Sequence, residues 1–213
     1  MIDVLAIGAH PDDLELGCAG TLLKLKGLGY GVGMVDLTRG ERGTRGSADI
    51  RRVEAASSLK VLGLDFRETL DLGDMQLQDT PDRRRAVVEV IRKHRPRLVL
   101  THWQNDRHPD HEGAAALVTH AMFFAGARKF DATGEPHTPD RLLYFPSHWV
   151  EDLNVYVDIT ESFQQKFEAI RLKANPIITP EMLPSGDGED INGPSMIKVP
   201  DWIKSPLGKY YLY

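Results

Sequence analysis

The run Val4-Leu5-Ala6-Ile7-Gly8 carries no polar side chain and is followed at once by the polar cluster Ala9-His10-Pro11-Asp12-Asp13. A strand with no polar face has to be covered on both sides, which is the situation of a central strand in a parallel sheet. The same unit recurs along the chain. Val32–Leu37, residues 66–70 and Arg97–Thr101 read as further short strands, the last set off by Pro96. Helix-length stretches lie between them: a polar turn and helix near Cys18–Leu28, then Asp49–Leu62, Asp82–His94 and Glu112–Phe124. In the third of these Val87, Val88 and Ile91 share one face. Strands alternating with helices predict an α/β fold, a mostly parallel sheet with helices on both faces. Ligands of such sheets collect beyond the carboxyl ends of the strands.

After about residue 140 the character changes. Leu142–Phe145 and Asn154–Ile159 read as strands, and Thr160–Leu172 as a helix with Thr160 at its N-cap. Six of the 13 prolines then fall at 176, 180, 184, 194, 200 and 206. Proline removes backbone donors and breaks helix and strand alike, so 173–213 reads as a loop-rich extension of a domain spanning 1–172.

Charge and cysteine content exclude several function classes. With 26 Lys+Arg against 31 Asp+Glu the net charge is −5, too acidic for general binding to a phosphate backbone. A single cysteine allows no internal disulfide framework and fits a reducing, cytoplasmic setting. No apolar run approaches the roughly 18 residues of a membrane span, so no membrane partner is expected. Gly29-Tyr30-Gly31-Val32-Gly33 precedes a strand instead of following one, which argues against a dinucleotide fingerprint. Cys18 reads as a small buried helix residue, and Arg83-Arg84-Arg85 as a solvated helix face.

Two clusters carry chemistry. One is Ala9-His10-Pro11-Asp12-Asp13; the other is Asp106-Arg107-His108-Pro109-Asp110-His111, a few residues after the strand ending at Thr101. Imidazole and carboxylate are ligands that Zn²⁺ accepts, and three protein ligands with one open position make a hydrolytic site. In each cluster a second group of the same kind stands beside the possible ligand, free to act as an acid, a base or a substrate contact. Of the other histidines, His94 and His120 fall in helices and read as surface or core-edge residues. His102, His137 and His148 could approach the site, but nothing in their spacing demands it. The glycine- and charge-rich stretch Thr38–Gly46 sits where a substrate-covering loop belongs.

These residues resemble the deacetylase family that includes the phosphatidylinositol-glycan class L enzymes and the LmbE-like proteins. Gly8–Asp13 with Glu15–Thr21 is similar to the family's opening motif, and Asp106–His111 to its second. Asp36-Leu37-Thr38, Gly40-Glu41, Gly43–Gly46 and Arg51 with Glu54-Ala55 match between them, the detail being nearest the branch that deacetylates N-acetylglucosaminyl-malate in bacillithiol synthesis. The resemblance covers roughly residues 3–172 and implies a Rossmann-like sheet. It implies one Zn²⁺ on His10, Asp13 and His111, with Asp12 as general base. It further implies that His108 stabilises the oxyanion or protonates the leaving amine, and that Asp110 orients a histidine. Arg51, Asp74 and Glu41 would contact the amino-sugar conjugate. A homo-oligomer, trimer or hexamer, is implied as well. The stretch Leu172-Lys173-Ala174-Asn175 and the absence of any histidine after His148 depart from the family's C-terminal pattern.

Overall fold

The computed structural model describes residues 2–43, 47–149 and 153–172, together with the backbone of 196–198 and 210–212. Five strands form one sheet: β1 (Val4–Gly8), β2 (Val32–Asp36), β3 (Phe66–Thr69), β4 (Leu98–His102) and β5 (Arg141–Phe145). All pairings are parallel and the order is β3-β2-β1-β4-β5. The sheet is therefore α/β as the sequence predicts. β1 and β2 are buried at every residue, as their unbroken apolar runs require.

The helices are α1 (Asp13–Gly17), α2 (Ala19–Gly27), α3 (Ala48–Leu62), α4 (Pro81–His94), α5 (Pro109–Gly126) and α6 (Phe163–Arg171). One apolar layer joins alternate side chains of β1 and β2 (Val4, Ala6, Met34) to Leu14, Leu22, Leu62 and Ala169. The opposite layer joins Leu5, Ile7 and Val35 to Val87, Ile91, Leu117 and Ala121 of α4 and α5. Local chemistry fixes the helix starts: the Ser47 and Thr80 hydroxyls accept from the backbone N–H of Ile50 and Arg83, and Pro81 and Pro109 open α4 and α5.

Several expectations change. Asn154–Ile159 is not a strand; only Asp158 makes a bridge. Ile159 is buried while Val155 and Tyr156 are more than half exposed, so the segment packs by a few side chains without a ladder partner. Thr160 does not cap α6, because its N–H and hydroxyl both donate to Asp158 in a turn, and α6 starts after Ser162. The helix expected near Cys18–Leu28 starts earlier and in two pieces: α1 begins at Asp13, directly after the polar turn, and a break at Cys18 separates it from α2. Arg83 and Arg84 are not merely solvated: Arg83 donates to the carbonyls of Leu72 and Gln76, and Arg84 forms a two-pronged pair with Asp79. Most of the extension predicted over 173–213 lies outside the described residues. Within it β6 (Met196–Lys198) and β7 (Tyr210–Leu212) pair antiparallel. Among the described residues no helix is long and apolar enough to cross a membrane.

Candidate metal centre

The chain order of the strands reverses beside β1: β2 lies on one side, β4 on the other. Loops leaving such neighbours diverge and open a crevice at the carboxyl end of the sheet. The two polar clusters meet in that crevice. The first occupies the tight turn from β1 into α1, the second the turn from β4 into α5. From them His10, Asp12, Asp13, His108 and His111 line a cavity of about 210 Å³, together with Gly40, Gly43, Arg51, Asp74, Met75 and His148.

Asp13 is its hub. One carboxylate oxygen accepts the His10 backbone N–H at 2.7 Å and lies 3.2 Å from His10 Nδ1; the other lies 3.2 Å from His111 Nε2. His10, Asp13 and His111 each offer a donor atom, all within 4.8 Å of one another. The distal ring nitrogens have carboxylates behind them. His10 Nε2 lies 3.3 Å from Asp110 and 3.2 Å from Asp74, and His111 Nδ1 lies 3.2 Å from Asp106. Asp110 is itself anchored, accepting the backbone N–H of Met75 and Leu77 at 2.6 and 3.0 Å. Gly113 permits that approach, since a Cβ there would stand 2.0 Å from the Leu77 carbonyl oxygen.

The electrostatics ask for positive charge. Burial opposes protonation of His10, yet the Asp13 carboxylate and hydrogen bonds with Asp110 and Asp13 push its pKa up to about 11. His111 is likewise pushed up to about 9, against its burial, by Asp13 and Asp106. Burial opposes the charge of Asp13 too, but His111, His102 and His10 hold it well below the usual carboxylate range. Imidazoles that take up protons among carboxylates are standing where a divalent cation would do the same work. The donor set of two imidazole nitrogens and a carboxylate fits zinc.

Asp12, next to Asp13 in sequence, points elsewhere. Its Oδ2 accepts from Arg51 Nη1 at 3.1 Å on the cavity wall. The loop at Gly40 and Gly43 closes over that guanidinium; a Cβ at Gly40, whose φ is +61°, would stand 2.8 Å from Arg51 Cδ. His108 is the N-cap of α5, with Nδ1 accepting the Asp110 N–H at 3.2 Å. Asp74 lines the cavity and accepts the Arg42 N–H, whereas Glu41 lies behind it and accepts the Asp74 N–H at 2.9 Å. The described residues hold three buried side-chain polar atoms without a hydrogen-bond partner, and all belong to this region: Glu41 Oε2, Arg51 Nε and His111 Nδ1.

Sequence reasoning left His102 and His148 unplaced, and both are here. His102, the last residue of β4, is fully buried and stacks on His111 with ring centroids 4.0 Å apart. Its Nε2 accepts the Ala9 N–H at 3.1 Å and lies 3.1 Å from Asp13, and its Nδ1 lies 3.0 Å from the Ser147 hydroxyl. Burial, then the neighbouring His111, lower its pKa to about 4, so the ring is neutral. Its signal in sequence was its place one residue beyond the strand end that the apolar run defines. His137 is elsewhere, bonded to the Pro96 carbonyl, and His120 pairs with Asp79 on the surface.

Comparison with known proteins agrees with this geometry. The sequence model of the PIG-L family, described as GlcNAc-PI de-N-acetylase, matches residues 5–122. Diacetylchitobiose deacetylase of Thermococcus kodakarensis is 34% identical over 183 residues, covering 79% of this chain and 67% of its own. The uncharacterized deacetylase YaiS of Escherichia coli is 40% identical over 184 residues, covering 80% and 87%. Among solved structures, the conserved protein TT1542 of Thermus thermophilus is 39% identical with a TM-score of 0.79, covering 81% of this chain and 79% of its own. GalB of Pseudomonas putida, a 4-carboxy-2-hydroxymuconate hydratase, is 27% identical with a TM-score of 0.73, covering 82% and 80%. On the strength of the family match and the two deacetylase relatives, the chain belongs to the PIG-L family of deacetylases.

Proposed function

We propose that this protein hydrolyses the acetamide of an N-acetylglucosamine conjugate, with N-acetylglucosaminyl-malate as its substrate and zinc held by His10, Asp13 and His111. The observation that carries this reading is the convergence of three donors, the two imidazoles backed by carboxylates, beside a further carboxylate that none of them uses. An acetamide is a poor electrophile, and a zinc ion supplies Lewis acidity to its carbonyl and to the attacking water. The remaining work belongs to side chains. Asp12 takes the proton of the water and returns it to the leaving amine, while Arg51 keeps its carboxylate turned to the cavity. His108 spends its Nδ1 lone pair on the Asp110 N–H, so its proton sits on Nε2 and the neutral ring donates to the oxyanion. Asp110 fixes the ring of His10.

The preference for an acidic aglycone is supported by Arg51. One of its nitrogens serves Asp12 and its Nε has no partner, so the guanidinium retains donors for a second carboxylate. Asp74 receives a sugar hydroxyl, and Glu41 holds the Asp74 backbone in place.

The test is release of free amine from N-acetylglucosaminyl-malate and from N-acetylglucosamine, with chelated and zinc-restored protein. Zinc-dependent release favouring the malate conjugate is expected. Asp12→Asn should cut kcat by about 10²–10⁴ with zinc retained. Preference for an uncharged conjugate overturns the acidic aglycone alone. Failure to release amine from any N-acetyl sugar, with water adding instead to an unsaturated acid such as the GalB substrate, overturns the deacetylase reading.

A further inference from the structure

Besides His102, two histidines that line the cavity lie against His111. The His108 ring lies 4.8 Å from it and the His148 ring 5.4 Å, each tilted by 22°. Their hydrogen-bond partners are opposite in kind. His108 Nδ1 meets a backbone N–H and must accept. His148 Nδ1 lies 2.8 Å from Asp106 Oδ1.

The protons around Asp106 can be assigned from its neighbours. Its carboxylate accepts the backbone N–H of His108 at 2.8 Å and of His148 at 3.4 Å, and faces the ring nitrogens of His148 and His111. Every one of these partners is a donor or can be one, so the carboxylate only accepts and His148 Nδ1 carries a proton. With that proton on Nδ1, Nε2 is the ring's acceptor atom, and the described residues show no partner for it. The side chain is 18% exposed, on the cavity wall. This is the arrangement in which a carboxylate fixes a histidine tautomer and leaves the far nitrogen as an acceptor.

We infer that His148 is a substrate contact of opposite polarity to His108: anchored on Asp106, it presents an acceptor that takes the sugar hydroxyl next to the acetamido carbon. The inference rests on the N-acetyl sugar reading above. In a glycoside, one ring carbon beside the acetamido carbon bears an ether oxygen, which has no proton to give. The hydroxyl on the other side, at C3, is the neighbouring donor. His108 and His148 then both hold the substrate beside His111, one donating to the acetyl oxygen and the other accepting from the sugar hydroxyl.

The test begins with the tautomers, which do not depend on what the substrate is. Long-range ¹H–¹⁵N correlation of zinc-loaded, ¹⁵N-histidine-labelled protein near pH 7.5, assigned with His148→Phe and His108→Asn, should show His148 protonated at Nδ1 and His108 at Nε2. A His148 proton on Nε2 overturns the inference. Next, methyl N-acetylglucosaminide should move the His148 Nε2 resonance and its 3-deoxy analogue should not. The same pair should differ about 10–100-fold in kcat/KM with the unmodified enzyme and less than about threefold with His148→Phe. Equal discrimination by both proteins, or no resonance shift with either sugar, overturns the contact. If the tautomers hold and no N-acetyl sugar binds or reacts, the sugar contact and the deacetylase reading fall together and only the acceptor remains.

Discussion

Two buried charge clusters sit at the same end of the same sheet, and they are built on different terms. Beside β2 and β3, Arg67 donates to Asp36 at 2.6 and 2.8 Å and to Glu15 at 2.6 Å, and the Ser58 hydroxyl donates to Glu15 at 2.6 Å. Glu15 and Asp36 are wholly buried and the Arg67 side chain is 4% exposed. Between β1 and β4, by contrast, Asp13, Asp74, Asp106 and Asp110 surround imidazoles that must take up protons to balance them, and polar atoms are left without partners. The first cluster is complete within the chain; in the proposed function a cation and a substrate complete the second. Burial and charge alone do not separate a structural cluster from a functional one. Satisfaction does.

The contrast breaks most visibly at Arg67. Arg67→Met strands two buried carboxylates and should cost about 3–5 kcal/mol of stability, read from the urea midpoint, with zinc making up little of the loss. A cost below 1 kcal/mol would mean that the closed cluster is no more bound up with the fold than the open one. The open cluster should respond in affinity. Asp110→Asn removes one of the two carboxylates behind His10 Nε2 and should weaken zinc about 10–100-fold in competition with a chelator, with a modest effect on the fold.

The finest distinction lies in pH. His10 and His111 have folded pKa values, about 11 and about 9, above the unfolded value near 6.5. The native state therefore holds more protons above pH 6.5. The resulting stability is fully present below about 6.5 and is lost as pH rises through 9 and then 11. Chelated protein should lose on the order of 5 kcal/mol between pH 6.5 and 9, with both shifts counted in full. Zinc-loaded protein should stay flat across that window, because the cation has replaced the protons. Parallel curves for the two forms would contradict the assignment of the charge deficit to this site.

The frame of the molecule was legible because it rests on one-dimensional signals. Unbroken apolar runs give β1, β2 and β4, and helical periodicity gives α4. The two polar clusters were legible because each is contiguous and follows a strand. What escaped depends on contacts distant in sequence. His102 meets Asp13 across 89 residues, and His148 meets Asp106 across 42. Arg67 is one charged residue in a short edge strand until Glu15 and Asp36 come to it. The segment Asn154–Ile159 has the composition of a strand, but among the described residues only Asp158 makes a bridge, and composition cannot supply a ladder.

The most direct measurement is a calorimetric zinc titration of chelator-treated protein at pH 7.5, repeated in buffers of different ionisation enthalpy to count protons. One zinc per chain should bind with release of one to two protons from His10 and His111, and Asp13→Asn should abolish tight binding. Zinc binding without proton release, or binding indifferent to Asp13→Asn, would contradict a centre built on these residues.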